Sequence, residues 1–268
     1  MMRVVLTVAG FDPTSGAGVT ADLRVLHSLG VYGIGVVSAL TIQDTRSVRR
    51  VAPVSGSLFR RQLDVVLDDI TPHAAKTGMV YESSGIRAIC SQIESGRLSR
   101  VIVDPVLAST SGKPLIGKNA LRALIGELIP RAYMVTPNVP EASLISGLEI
   151  GGPDEVHRAA ERICALGAAR VVITGGHLRD DPVDTYYDGK RFRHYGGPRK
   201  RGQFHGTGCA FSAALAAFVA RGVSAHEAVA RAKDFLATAM DRSMRIGRGM
   251  RLLGVREACR EKGRDCNV

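Results

Sequence analysis

The chain contains no tryptophan, and its few phenylalanines and tyrosines bring the aromatic content to only 5%. Surfaces that hold single-stranded nucleic acid interleave basic side chains with aromatic stacking platforms, so nucleic-acid binding is not expected as the main role despite a formal net charge of +11. No apolar run approaches the roughly 20 residues that span a bilayer, and Met1-Met2-Arg3-Val4-Val5-Leu6 reads as the start of a buried strand, not a signal sequence. A cytoplasmic protein with no membrane partner is expected. Cys90, Cys164, Cys209, Cys259 and Cys266 form no CxxC pair and show no ligand spacing with the histidines, which argues against structural zinc and against a disulfide framework. Walker A, GxGxxG and protein-kinase patterns are also missing, so the familiar nucleotide-binding folds lack support.

What is present is a chain that is 45% hydrophobic over 268 residues, enough for one large α/β core. Apolar strand-like runs at 4–9, 35–42, 101–103, 132–135 and 171–173 alternate with helical patterns at 17–29, 58–70, 83–94, 119–128, 154–166 and 225–243. That alternation predicts a mostly parallel sheet with helices on both faces, a three-layer αβα sandwich. Asp188-Gly189 between two β-prone runs predicts a hairpin, and hence a small antiparallel addition at a sheet edge. With no linker and no repeat, residues 1–245 read as one domain and 246–268 as a basic, frayed tail. The positive charge suits anionic small substrates or a solvated basic surface.

In such a sheet the ligand crevice lies at the carboxyl ends of the strands. The polar residues placed there are Asp12, Gln43-Asp44, Asp104, Asn138 with Glu141, and Gly175-Gly176-His177. They are joined by His205-Gly206-Thr207-Gly208-Cys209, which opens into an apolar helix. Glycines permit close approach to a ligand, and the free N–H groups at a helix start favour a phosphate. In Gly206, Thr207 and Gly208 the turn supplies backbone donors for a phosphoryl group; Cys209 sits at the first helical turn, where a thiol can have its pKa lowered.

Six stretches, Ala9-Gly10-Phe11-Asp12-Pro13-Thr14-Ser15-Gly16-Ala17-Gly18-Val19-Thr20-Ala21-Asp22, Thr41-Ile42-Gln43-Asp44-Thr45, Lys76-Thr77-Gly78-Met79, Asp104-Pro105-Val106, Thr136-Pro137-Asn138-Val139-Pro140-Glu141-Ala142 and Gly175-Gly176-His177, precede the 205–209 turn. Together, over roughly residues 3–240, the chain resembles the hydroxymethylpyrimidine and phosphomethylpyrimidine kinases of thiamine synthesis, within the ribokinase-like superfamily. The resemblance implies successive ATP-dependent phosphorylations of 4-amino-5-hydroxymethyl-2-methylpyrimidine and of its monophosphate. It implies ATP and Mg²⁺ as cofactors, Cys209 as the base for the substrate hydroxyl, and a homodimer. It also implies that Gly10, Asp22 and Gln43 contact the pyrimidine, whose flat faces would meet Met79 and Val106. Asp104 and Glu141 are carboxylates suited to Mg²⁺ with a partial water shell, and Asn138 lies where it would position phosphate or those waters.

Two departures stand out. Many relatives carry a lysine before the Gly175-Gly176 pair, where this chain has Thr174; Lys200 or Arg201 is the expected source of the missing charge near the ATP phosphates, beside Gly176. The C-terminal run Gly247-Arg248-Gly249-Met250-Arg251 also lacks the proline that often follows it in relatives. The alternatives are a pyridoxal or pyridoxine kinase, whose substrate is also a flat ring with a hydroxymethyl group, and a non-catalytic pyrimidine-binding regulator.

Overall fold

The computed structural model describes residues 2–109, 112–177 and 182–255. Within it the chain runs β1 (Val4–Phe11), α1 (Gly18–Ser28), β2 (Tyr32–Gln43), β3 (Val48–Pro53), α2 (Gly56–Asp69), β4 (Ala74–Thr77), α3 (Ser83–Glu94) and β5 (Val101–Val103). It continues through α4 (Lys118–Ala123), β6 (Met134–Val135), α5 (Val139–Ser146), α6 (Pro153–Ala165), β7 (Val171–Ile173), β8 (Asp184–Tyr187), β9 (Phe192–Tyr195), β10 (Phe204–His205), α7 (Thr207–Ala220), α8 (Ala225–Asp241) and β11 (Arg251–Leu252).

Nine strands form one sheet in the order β3-β2-β1-β4-β5-β6-β7-β8-β9. The six strands from β2 to β7 are parallel, while β3 closes one edge and the β8–β9 pair the other in antiparallel fashion. Strand residues alternate between two cores, as a period of two requires. Leu6, Val8, Val101, Val103 and Val135 face a cluster built on α2 to α6, whereas Val5, Ile102, Met134 and Val172 face α1, α7 and α8. The three-layer αβα sandwich is therefore present, with antiparallel strands at both edges where only one such addition is expected from the sequence. Asp188-Gly189 does turn the β8–β9 hairpin.

Two elements escape the hydrophobic pattern. Strand β4 is Ala-Ala-Lys-Thr, fully buried between β1 and β5, yet alanine and lysine are depleted in strands and give no signal. Strand β11 lies in what reads as a frayed tail. It pairs in parallel with β10, Phe204 to Arg251 and His205 to Leu252, and Met250 N–H bonds to the Thr45 carbonyl. Leu252 and Leu253 are each only 4% exposed, so residues 250–255 are packed against the body because their leucines have a core to fill, while Ile246 and Arg248 stay exposed. Residues 256–268, with Cys259 and Cys266, lie outside the described residues.

If this segment belongs to the fold, Leu252→Ala should destabilise the protein by about 2–5 kcal/mol through the lost burial and the cavity left behind. A urea titration reads this as a lower midpoint at unchanged slope; an unchanged midpoint would return the segment to solvent.

Candidate active site

The carboxyl ends of the parallel strands open into a cavity of about 540 Å³. Its wall takes Gly10 near the end of β1 and Asp12 just after it, Thr41 and Gln43 at the end of β2, Met79 beyond β4, Asp104 and Val106 beyond β5, Asn138 and Glu141 beyond β6, and Thr174 beyond β7. Gly206, Thr207, Gly208 and Cys209 complete it. The pairing of β1 with β2 shifts register between Ala9 and Gly10, and that of β2 with β3 between Ile42 and Gln43. Such irregularities re-aim side chains at a sheet's rim. Gly10 is packed so closely that a β-carbon there would lie 2.3 Å from Met79 Cε.

The turn into α7 is shaped by one backbone approach. Gly206 has φ +79°, and a β-carbon on it would lie 1.8 Å from the Gly16 carbonyl oxygen, so no other residue fits without rebuilding both loops. The Gly16 loop is organised by Asp12, whose carboxylate accepts from Thr14 N–H (2.9 Å), Thr14 Oγ1 (2.9 Å) and Ala17 N–H (2.9 Å) and from His205 Nε2 (2.8 Å). Burial works against ionisation of Asp12, but these bonds outweigh it and hold its carboxyl below the ordinary value. Among the described residues no side chain caps α7. Its first N–H groups and the positive end of its dipole thus face a cavity large enough for a phosphate.

Beneath the turn lies a buried ion cluster. Lys76 Nζ, on β4, stands 2.8 and 3.0 Å from the two Asp22 oxygens and 3.9 Å from Asp104 Oδ2. Burial disfavours its charge, yet Asp22, Cys209 and Asp104 outweigh that and raise its pKa. Ser212 Oγ on α7 donates to Asp104 Oδ2 at 2.9 Å, tying the helix to the same carboxylate. Asp104 is pushed above its ordinary value by burial, with Lys76 pulling the other way. Glu141 is pushed up to about 8 by burial and then by the Asp104 charge, even though it accepts from Asn138 N–H at 3.0 Å and Leu107 N–H at 3.3 Å. Asn138 and Glu141 also form the capping box of α5, so helix start and candidate ligand are one device.

Several sequence-based expectations change. Asp22 is fully buried, held by Thr7 Oγ1 at 2.6 Å and by Lys76; it stands outside the cavity wall and braces Lys76 where ring contact was expected. Lys200 and Arg201 do not reach the cavity: Lys200 pairs with Asp241 at 2.7 Å, and Arg201 is exposed. Gly176 is likewise off the wall. Among the described residues, Arg199 is a basic side chain that does reach its loop, its Nη1 bonding to the Gly176 carbonyl at 3.1 Å. The Cys209 thiol is pushed up to about 12, where a lowered value is expected from the helix start. Burial causes the rise; Lys76 and the Gly18 N–H favour the thiolate, while Asp104 and Asp22 disfavour it. Lys76 went unremarked as a site residue, its one signal being a lone cation in a short apolar run.

A backbone cradle for an anion, buried carboxylates beside it and an apolar slot across from it define a site suited to phosphoryl transfer onto a small flat substrate. The model of the phosphomethylpyrimidine kinase family matches residues 12–253, and the chain belongs to that family. The hydroxymethylpyrimidine/phosphomethylpyrimidine kinase of Bacillus subtilis is 38% identical over 247 residues, 91% of each chain. The thiamine biosynthesis bifunctional protein ThiED of Geobacter sulfurreducens is 41% identical over 247 residues, and the chain spans 50% of that protein's length. Among solved structures, an ADP complex of Bacillus subtilis pyridoxal kinase superposes with TM-score 0.88 at 33% identity, covering 95% of this chain and 98% of that one. The phosphomethylpyrimidine kinase of Clostridium difficile 630 gives 0.80 at 35%, covering 89% and 99%.

Glu141 yields a pH test. A carboxyl whose folded pKa exceeds its unfolded value stabilises the fold at low pH and loses that contribution as pH rises through the folded value. In metal-free buffer the denaturation midpoint should therefore fall between pH 4.5 and about 8. Glu141→Gln should flatten the fall, leaving the part due to Asp104. An unchanged slope in the variant would contradict the assignment.

Proposed function

We propose that the chain transfers the γ-phosphoryl group of ATP to 4-amino-5-hydroxymethyl-2-methylpyrimidine, and from a second ATP to the resulting monophosphate, as a step of thiamine biosynthesis. The observation that carries this reading is the uncapped start of α7 on the same cavity wall as Gln43, Met79 and Val106. In the first step the hydroxymethyl oxygen bonds to the γ-phosphorus, the bond to the β-phosphate oxygen breaks, ADP leaves, and the hydroxyl proton needs an acceptor. Phosphoryl transfer asks mainly for alignment and charge neutralisation. The N–H groups of Gly206 to Cys209 are the donors for the equatorial oxygens, each such donor contributing about 3–4 kcal/mol in comparable sites.

Mg²⁺ fits the donor set. Among the described residues no group of three or more His, Cys, Asp or Glu could hold a metal ion, which suits an ion that keeps its waters and takes one or two carboxylates plus substrate phosphates. Asp104 and Glu141 are the pair that would hold it, and a cation there would favour the ionised forms that burial disfavours in both. Bound there, the ion would neutralise phosphate charge. Asn138 and Thr174 share that stretch of wall. Thr174 brings no charge to the phosphates, and among the described residues Arg199, which bonds to the Gly176 carbonyl, is the basic candidate beside the Gly175-Gly176 loop. Among the described residues no helix is long and apolar enough to cross a membrane, in keeping with action in the cytoplasm. A homodimer is proposed, with Leu40 and Ile42 on β2, 54% and 56% exposed, as apolar surface for the second copy.

A second reading is favoured by one observation, the close superposition on pyridoxal kinase. Both rings carry a hydroxymethyl group, so an ADP-release assay offering hydroxymethylpyrimidine and pyridoxal decides between them. Preference for the pyrimidine is expected; preference for pyridoxal would overturn the substrate assignment.

Cys209 gives the sharper test. The first step has an alcohol nucleophile that must lose a proton, whereas the second has an anionic phosphate oxygen that need not. If the sulfur receives that proton, Cys209→Ala should slow the first phosphorylation about 10²–10⁴-fold and the second far less. With a thiol pushed up to about 12, the wild-type first step should also accelerate steadily from neutral to alkaline pH. Equal losses in both steps, or a flat first-step profile, would remove the sulfur from proton transfer.

A further inference from the structure

Gln43 sets its Nε2 2.9 Å from His205 Nε2 and its Oε1 3.3 Å from Thr41 Oγ1. Proton counting reverses this amide. Asp12 accepts two backbone N–H groups and the Thr14 hydroxyl, so it is an ionised acceptor, and the imidazole nitrogen 2.8 Å from it must carry a proton. Neutral or charged, the imidazole then has N–H at Nε2, and two N–H groups cannot face each other at 2.9 Å. The second contact gives the same answer independently. Thr41 spends its single hydroxyl proton on the Phe11 carbonyl at 2.9 Å, so toward Gln43 it can only accept. An amide oxygen facing it would be acceptor against acceptor. Turning the amide by half a rotation removes both clashes: its oxygen shares the one Nε2 proton with Asp12 in a three-centre bond, its NH₂ faces a hydroxyl oxygen whose own proton is spent, and amide oxygen and nitrogen differ too little in shape for sterics to resist.

We propose that His205 and Thr41 lock the Gln43 amide with its oxygen on the imidazole and its NH₂ on the hydroxyl, leaving one N–H as a fixed donor toward the substrate ring. His205 thereby becomes the specificity-determining positioning residue. It acts through Gln43 and is itself anchored by Asp12. The imidazole is 6% exposed, and its Nδ1 is buried without a partner, an arrangement that serves the Nε2 edge alone. The site so set reads a ring nitrogen lone pair, and it rejects a ring with C–H at that position because the donor would then be buried unpaired. This inference rests on the pyrimidine kinase reading.

The test compares hydroxymethylpyrimidine with its two deaza analogues, each with one ring nitrogen replaced by C–H. For wild type, one analogue should show a KM at least about tenfold higher than the pyrimidine, equivalent to roughly 1.4 kcal/mol. In His205→Phe, which keeps a ring but loses the donor, that ratio should fall toward unity. A merely structural role would raise every KM alike and leave the ratio intact, which would overturn the proposal, as would equal use of both analogues by wild type. A second measurement needs no variant and no substrate. In ¹⁵N NMR of the resting protein, His205 should be protonated at Nε2; a bare Nε2 with the proton on Nδ1 alone would overturn the lock. Wild type that phosphorylates none of the three compounds would refute the kinase reading instead, and the tautomer measurement would still decide the lock.

Discussion

Helix α7 is apolar on every side, with Ala210 to Ala220 all buried, and it begins at the cavity without a capping side chain. A helix that must be buried along its body has no choice about where its first N–H groups point once its start is fixed. That start is fixed by the contact between Gly206 and the Gly16 carbonyl, by the β10–β11 pairing that holds His205, and by Ser212 on Asp104. The glycines, the packed C-terminal segment and the Asp12 turn are the means by which one set of backbone donors is held open to the cavity.

The second determinant is the Lys76 ammonium under the floor. Asp104 and Glu141 lie on the cavity wall and Asp22 behind it, and among the described residues Lys76 is the buried cation that offsets them. Removing one partner of a buried pair typically costs about 3–5 kcal/mol because a lone charge is left behind, so Lys76 and Asp22 are bound to each other's presence. Burial is the main reason that Glu141, Asp104 and the Cys209 thiol are all driven upward, with neighbouring carboxylates adding to it, and a divalent cation suits the wall because it would favour the charged carboxylates that burial disfavours. The dipole of α7 does not by itself activate the sulfur; desolvation wins.

Much of this was legible in the chain. Near-continuous apolar runs, short at β5 and β7, announced β1, β5 and β7, because strands buried on both faces carry little else, and Asp188-Gly189 announced its hairpin. Of the polar residues just after the strands, Asp12, Gln43, Asp104, Asn138 and Glu141 do converge on one cavity, as an open parallel sheet requires, whereas Asp44 is off its wall and accepts from Arg46 N–H, Ser47 N–H and Arg49. What the sequence could not show was direction. Asp22 sits on the cavity-proximal helix but turns inward to Lys76; Lys200 pairs with Asp241, Arg201 is exposed, and Arg199, itself exposed, bonds to the Gly176 carbonyl. Charged side chains on neighbouring positions differ only in which neighbour they find, and that is decided by packing. Strand β4 was hidden by its alanines, and the ordered tail by the arginines around Leu252 and Leu253.

The account stands or falls on where the transferring group lies. A crystal structure with ADP, aluminium fluoride and hydroxymethylpyrimidine would place a mimic of that group in the cavity. The fluoride is predicted to contact the N–H groups of Gly206 to Cys209, with the substrate hydroxymethyl oxygen in line and the ring beside Gln43. A fluoride bound elsewhere, with the α7 start left open or filled by water, would contradict it.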